Sequence, residues 1–174
     1  SVSKSNKYAI HAFTNNRLTN ITLPDGVIYI GDHAFMNNKL TSITIPNSVR
    51  SIGAGAFVNN AMLDNVFIYN RKSDGPIDYT SDYTSLNSYA GADRGTITIP
   101  NTVKEIGREA VSYTDIRGIT IPDSVTSIGD YAFRDNKLTS ITIPNSVRSI
   151  GTAAFVNNAL SDNLFIYNRK SDGS

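Results

Sequence analysis

The chain has 174 residues, 16 Lys and Arg against 15 Asp and Glu, and no cysteine. A formal charge of +1 leaves no basic face for nucleic acid, and the absence of thiols excludes both a disulfide framework and cysteine chemistry. No apolar run approaches the ~18 residues of a membrane span, and the opening SVSKSNKYAI has no signal-peptide apolar region, although a removed signal would leave the same start.

Residues 1–17 end in HAFTNNR (His11–Arg17), which matches HAFMNNK (His33–Lys39), so they form the back half of a partial N-terminal repeat. Regular repeats occupy 18–62, as Leu18–Lys39 and Leu40–Ala61, each of 22 residues. A fixed period of this length predicts a solenoid. Within Leu40–Ala61, Ser42–Ile45 alternates polar and apolar, as a half-buried strand should. Pro46 then stops the strand and turns the chain, because it lacks an N–H and fixes its own φ. Val49 and Ile52 are the next inward anchors, and Gly53 makes a corner. Ala56-Phe57 is expected in one turn of α or 3-10 helix that plugs the core from behind. The few apolar side chains of one repeat cannot offset the entropy of ordering it, so neighbouring turns must share a core.

An irregular repeat follows over residues 63–93. Tyr69 stands where Pro is expected, and neither the Ile-Gly corner nor the Ala-Phe plug is recognisable before Gly95. The segment from Arg71 to Gly95 is rich in Ser, Asp, Gly and Tyr and reads as a loop, so the sheet is expected to be interrupted near residues 70–95. Regular repeats resume over 94–159, with Val111 in place of the Phe plug, leaving space that Leu86 or a Tyr would have to fill. A terminal half-repeat, 160–174, closes the chain. Leu138–Gly173 matches Leu40–Gly75 at 31 of 36 positions, 98 residues apart, which indicates duplication of a whole block. No polar cap follows the last strand, so an oligomer through that strand is an open expectation.

The motif LxxIxIPxxVxxIGxxAFxxN resembles the BspA-like, or Treponema pallidum-type, leucine-rich repeat over nearly the whole chain. The resemblance implies an α/β solenoid: a right-handed arc with a parallel sheet on its concave face and short helical or 3-10 turns on the convex side. It implies a single domain over 1–174 that is secreted, periplasmic or displayed on a bacterial surface and acts in protein binding or adhesion. The family pattern contains no catalytic residue and no cofactor, so the chain reads as a non-enzyme. Asn38, Asn60, Asn136 and Asn158 stand two positions before each leading residue, where such repeats sometimes hold Cys, and read as side chains that bond the backbone of adjacent turns.

Between the inward Ile residues of each strand one residue faces outward. Down the stack these are Thr22, Thr44, Phe67, Thr98, Thr120, Thr142 and Phe165. The Thr row is a β-favouring surface. Phe67 and Tyr69, with Tyr79, Tyr83 and Tyr89 from the adjacent loop, form a candidate aromatic patch, repeated as Phe165 and Tyr167. The competing reading is that the loop folds over Phe67 as a local satellite core. Ile28 and Tyr29 are a second apolar spot. His11 and His33 occupy equivalent positions, but two His without Cys fall short of a zinc set, so exposed turn histidines are expected and no metal is assigned. Two functions remain: a scaffold binding an unidentified protein, and a carrier of a small apolar ligand in an aromatic pocket beside the irregular repeat.

Overall fold

The computed structural model describes residues 11–62, 67–69 (Phe67 and Tyr69 by backbone alone), 85–92 and 94–161. Pro24, Pro46, Pro100, Pro122 and Pro144 each close the outward-facing stretch of a turn. Each prolyl carbonyl accepts a hydrogen bond from the Val N–H three residues on, at 3.0–3.3 Å. Among the described residues there are nine short strands, in chain order β1 (Tyr29–Ile30), β2 (Ser51–Ile52), β3 (Phe67–Tyr69), β4 (Ser85–Tyr89), β5 (Thr96–Thr98), β6 (Glu105–Ile106), β7 (Gly118–Thr120), β8 (Ser127–Ile128) and β9 (Ser149–Ile150). They form three sheets, ordered β1-β2, β3-β4-β6-β8-β9 and β5-β7. All pairs are parallel except β3–β4, which is antiparallel.

The longest sheet runs through the Ile-Gly corners, which the sequence pattern marks as anchors and not as strands. The corner glycine itself explains the stacking. Gly53, Gly129 and Gly151 donate to Ile30, Ile106 and Ile128 of the turn before, at 2.7–2.8 Å. A Cβ on Gly129 would sit 2.7 Å from the Arg108 nitrogen and 2.8 Å from the Gly107 carbonyl carbon. Close approach of backbones, rather than an unusual φ, therefore demands glycine here. We expect Gly129→Ala to cost about 1–3 kcal/mol, since the obstructing atoms are backbone and cannot rotate away. Gly118→Ala should cost less, because the nearest atoms belong to the Thr96 side chain. Denaturant unfolding of the two variants checks the order.

The Ala-Phe segment is a hydrogen-bonded turn, and no described residue is helical. The expected helical turn is thus corrected. Its cause is a pair of left-handed residues four positions apart in each of six turns: His11 and Asn15, His33 and Asn37, Gly55 and Asn59, Glu109 and Tyr113, Tyr131 and Asp135, Ala153 and Asn157, all with φ between 51° and 59°. A right-handed helix cannot pass through such positions. Between them the plug rings stack, Phe13 on Phe35 and Phe35 on Phe57 at 5.3 and 5.2 Å, and Phe133 on Phe155 at 5.3 Å.

The irregular repeat rebuilds a turn from different residues. Gly107 N–H donates to Leu86 O at 2.8 Å, as Gly129 does to Ile106, so Leu86 takes the corner-Ile register. Tyr89 N–H donates to Ala110 O at 2.7 Å, as Val111 does to Ala132, so Tyr89 takes the plug register. Both side chains are fully buried in one core with Val111. The space expected beside Val111 is filled. A second core gathers Ile30, Phe35, Leu40, Ile52, Phe57 and Met62. The two blocks meet through Gly55 N–H to Asn87 O (3.1 Å), Phe57 N–H to Ser88 Oγ (3.0 Å) and Asn87 Nδ2 to Ile52 O (3.0 Å). Arg94 adds bonds to Gly91 O, Asn59 Oδ1 and Asn60 O.

On the outward strand side, pairing among the described residues is regular at β5–β7, while one isolated bridge, Met62 with Gly91, joins the N-terminal turns to the irregular segment. Of the expected interruption, residues 70–84 and 93 lie outside the described residues, while the corner sheet runs on through β4. The Asn residues act as anticipated. Asn38, Asn60, Asn136 and Asn158 accept from the N–H of Leu18, Leu40, Ile116 and Leu138, and each Nδ2 donates to carbonyls of its own and the preceding turn.

Candidate binding face

Alternation along β5 and β7 buries Ile97, Ile99, Ile119 and Ile121 and leaves Thr96, Thr98 and Thr120 in solvent. Thr98 lies opposite Thr120 in parallel register, which sets the two hydroxyls one strand spacing apart, about 4.8 Å. Thr22, Thr44 and Thr142 occupy the same place in their turns and are likewise exposed. The row next to them reads Asn20, Ser42, Thr96, Gly118 and Ser140, and beyond the prolines come Asp25, Asn47, Asn101, Asp123 and Asn145. The face is therefore uncharged along its middle and rich in hydroxyl and amide groups.

At its N-terminal end the face dips into an open depression of about 360 Å³ between two turns, lined by Asn20, Thr22, Asp25, Ser42, Thr44 and the flanks of Ile21, Ile43 and Pro46. Asp25 gives it a negative edge. Sequence reasoning found Thr22 and Thr44 by alternation but missed Asp25. The available signal was the change from Pro-Asn-Ser (Pro46–Ser48) to Pro-Asp-Gly (Pro24–Gly26), where Gly26 takes a φ of 104° and its N–H donates to Ser48 Oγ at 3.1 Å.

The family model "BspA type leucine rich repeat region (6 copies)" matches residues 6–90 and 82–171. The chain belongs to the BspA-type leucine-rich repeat family. Among solved structures, a leucine-rich repeat protein from Eubacterium ventriosum is 30% identical, covering 87% of this chain and 43% of its own, with a TM-score of 0.68. A leucine rich cell surface protein from Faecalibacterium prausnitzii is 29% identical over 79% of this chain and 36% of its own, with a TM-score of 0.45. The chain spans less than half the length of either. No curated protein matches significantly. BspA-type repeats are interaction scaffolds, a non-enzymatic type.

Within this BspA-type solenoid the aromatic candidates separate. Tyr89 is fully buried as the plug of the rebuilt turn, so it is corrected from a surface aromatic to a core residue. Tyr79, Tyr83, Phe165 and Tyr167 lie outside the described residues, and for Phe67 and Tyr69 the structure describes the backbone in β3. Ile28 is 62% exposed and Tyr29, in β1, is 37% exposed. The His11 and His33 rings stack at 4.9 Å. His33 is half-buried, not exposed as expected: its Nε2 pairs with buried Glu109 of the C-terminal block, and Gly55 between them leaves the room. Among the described residues no group of three His, Asp or Glu is placed to hold a metal, and no helix is long and apolar enough to cross a membrane.

Proposed function

We propose that the chain is a non-catalytic scaffold that binds a protein partner through the face carrying Thr22, Thr44, Thr98, Thr120 and Thr142, in adhesion to host or cell-surface components. The observation that carries this reading is the exposure of all five Thr in one row beside the depression at Asn20, Asp25 and Ser42. Regularly spaced hydroxyls on stacked backbone turns lose little freedom when a partner docks. Proteins of this family are typically surface-associated, which fits a secreted, periplasmic or displayed location.

The test is binding to a panel of purified extracellular-matrix and cell-surface proteins. A Thr22→Arg/Thr44→Arg chain should lose binding by more than about tenfold, the scale of one or two disrupted anchor contacts, with its unfolding midpoint nearly unchanged. Binding that survives in this variant but disappears with Phe67→Ala/Tyr69→Ala would move the site to the aromatic segment. The apolar-carrier reading has weaker support, because Leu86 and Tyr89 fill the space that was to hold the ligand.

A further inference from the structure

In a solenoid, side chains needed for stacking recur from turn to turn, so a cluster that departs from the repeat has another cause. Three positions after the first left-handed residue, the turns carry Thr14, Met36, Val58, Ser112, Arg134 and Val156. Arg134 alone is charged in that row. Its neighbours depart as well. Tyr113 stands where three other turns have Asn15, Asn37 and Asn59, and Tyr131 stands where they have His11, His33 and Gly55.

The structure brings these departures together. The Arg134 guanidinium carbon lies 4.9 Å from the Tyr113 ring centroid and 5.5 Å from that of Tyr131, both within cation–π range. Arg134 Nε donates to Asp135 Oδ2 at 2.6 Å, and Asn157 Nδ2 donates to Asp135 Oδ1 at 2.7 Å. Burial pushes the Tyr113 phenol up, with Arg134 opposing. Burial alone would raise the Asp135 carboxyl, but hydrogen bonds from Asn157 and Arg134 hold it below the usual carboxylate range. The turns do not need this cluster in order to stack. Tyr113 N–H to Arg134 O and Asp135 N–H to Val156 O, each 3.0 Å, repeat a backbone ladder that Met36 and Val58 support with no charge at all.

Arg134 is thus fixed by two rings and one carboxylate, while about a third of its side chain, 34%, stays in solvent. Engagement at Nε leaves the two Nη groups as a fork of the kind that grips a carboxylate bidentately. Asp135 offsets the charge of Arg134, and nearby Lys137 pairs with Asp115 at 3.1 Å. A near-neutral patch exerts little long-range pull on a polyanion, so recognition here works at contact distance. Tyr and Arg held rigid beside each other are the residue types that dominate protein interfaces.

We infer that the Tyr113–Arg134–Tyr131 cluster is a second interaction surface, on the turn side of the solenoid, that anchors an Asp or Glu carboxylate presented by a protein partner. It is independent of the Thr row on the strand side, and its test separates the two.

The experiment is an NMR titration of the full chain, following the Arg134 Nε–Hε signal and the Tyr ring signals. The probes are acetyl-Gly-Glu-Gly-amide, its Gln counterpart and methyl glucuronoside. The Glu peptide should give a saturable shift, roughly tenfold weaker for the Gln peptide and for an Arg134→Lys chain, which keeps the charge but loses the fork. Tyr131→Leu, which removes one ring and keeps the guanidinium, should weaken it in the same direction. Thr120→Arg on the strand side should leave it unchanged. Equal response to the Glu and Gln peptides, or undiminished binding by Arg134→Lys, overturns the proposal. Tighter binding of the glucuronoside than of the Glu peptide also overturns it, by assigning the anchor to a glycan.

Discussion

Replacing Tyr89 by Ala should destabilise the protein by about 3–5 kcal/mol, the range for removing a fully buried ring from a packed core. Tyr89 is 0% exposed and lies in one core with Leu86, Val111 and Ile106. The turn on its C-terminal side offers Val111 where others offer Phe, so no ring on that side can swing in to fill the gap. The cavity would open at the junction of the two repeat blocks, where Gly55, Phe57 and Asn87 already make the connecting hydrogen bonds. Tyr89→Phe retains the ring and should cost no more than about 1.5 kcal/mol, the scale of one hydrogen bond. Equilibrium denaturation of both variants decides the matter. A loss below about 1 kcal/mol for Tyr89→Ala, typical of a surface or loosely packed site, would mean that Tyr89 is not the plug of this turn.

Asn136→Ala is expected to cost about 3–4 kcal/mol, because one amide satisfies several buried backbone groups that would each be left without a partner. Its Oδ1 accepts from the N–H of Thr114 and of Ile116, both at 3.2 Å, and from Thr114 Oγ1 at 2.9 Å. Its Nδ2 donates to Val111 O at 2.6 Å and Phe133 O at 3.0 Å. No water can replace these bonds without opening the turn, since Asn136 is 7% exposed. Asn16 sits at the same register near the start of the described chain, is exposed, and donates to Thr14 O at 3.2 Å. Asn16→Ala should therefore change stability by less than about 0.5 kcal/mol. Comparable losses at both sites would show that the amide ladder is not what holds the turns in register.

The regular turns were legible because their chemistry repeats. Alternation found the exposed Thr row, Pro marked the end of each outward-facing stretch, and the Asn positions announced their backbone bonds. The corner strands were not legible, since two residues such as Ser127-Ile128 carry no period of their own. Their pairing comes from the backbone contact that Gly129 permits. The left-handed pairs were hidden for another reason. Outside Gly55 they fall on His, Asn, Glu, Tyr, Asp and Ala, residues imposed on that conformation by the stack. The irregular repeat escaped the motif because Leu86 and Tyr89 stand three positions apart, whereas Ile52 and Phe57 stand five apart. The chain takes a shorter path between the same two anchors, and β3 then pairs antiparallel with β4. The Tyr113–Arg134–Tyr131 cluster becomes visible in the sequence once all six turns are aligned by register, because the anomaly lies across turns and not along the chain.

The central claim is that residues 85–92 join two blocks of repeats into one continuous solenoid, so that the turns act as one rigid scaffold. Native-state hydrogen exchange tests it most directly. The amides of Gly55, Tyr89 and Gly107, bonded to Asn87 O, Ala110 O and Leu86 O, should be protected to the same free energy as those of Gly129 and Phe133 deep in the regular turns. Rapid exchange at Gly55, Tyr89 and Gly107, with unequal protection on the two sides, would mean that the blocks fold separately and would contradict the account.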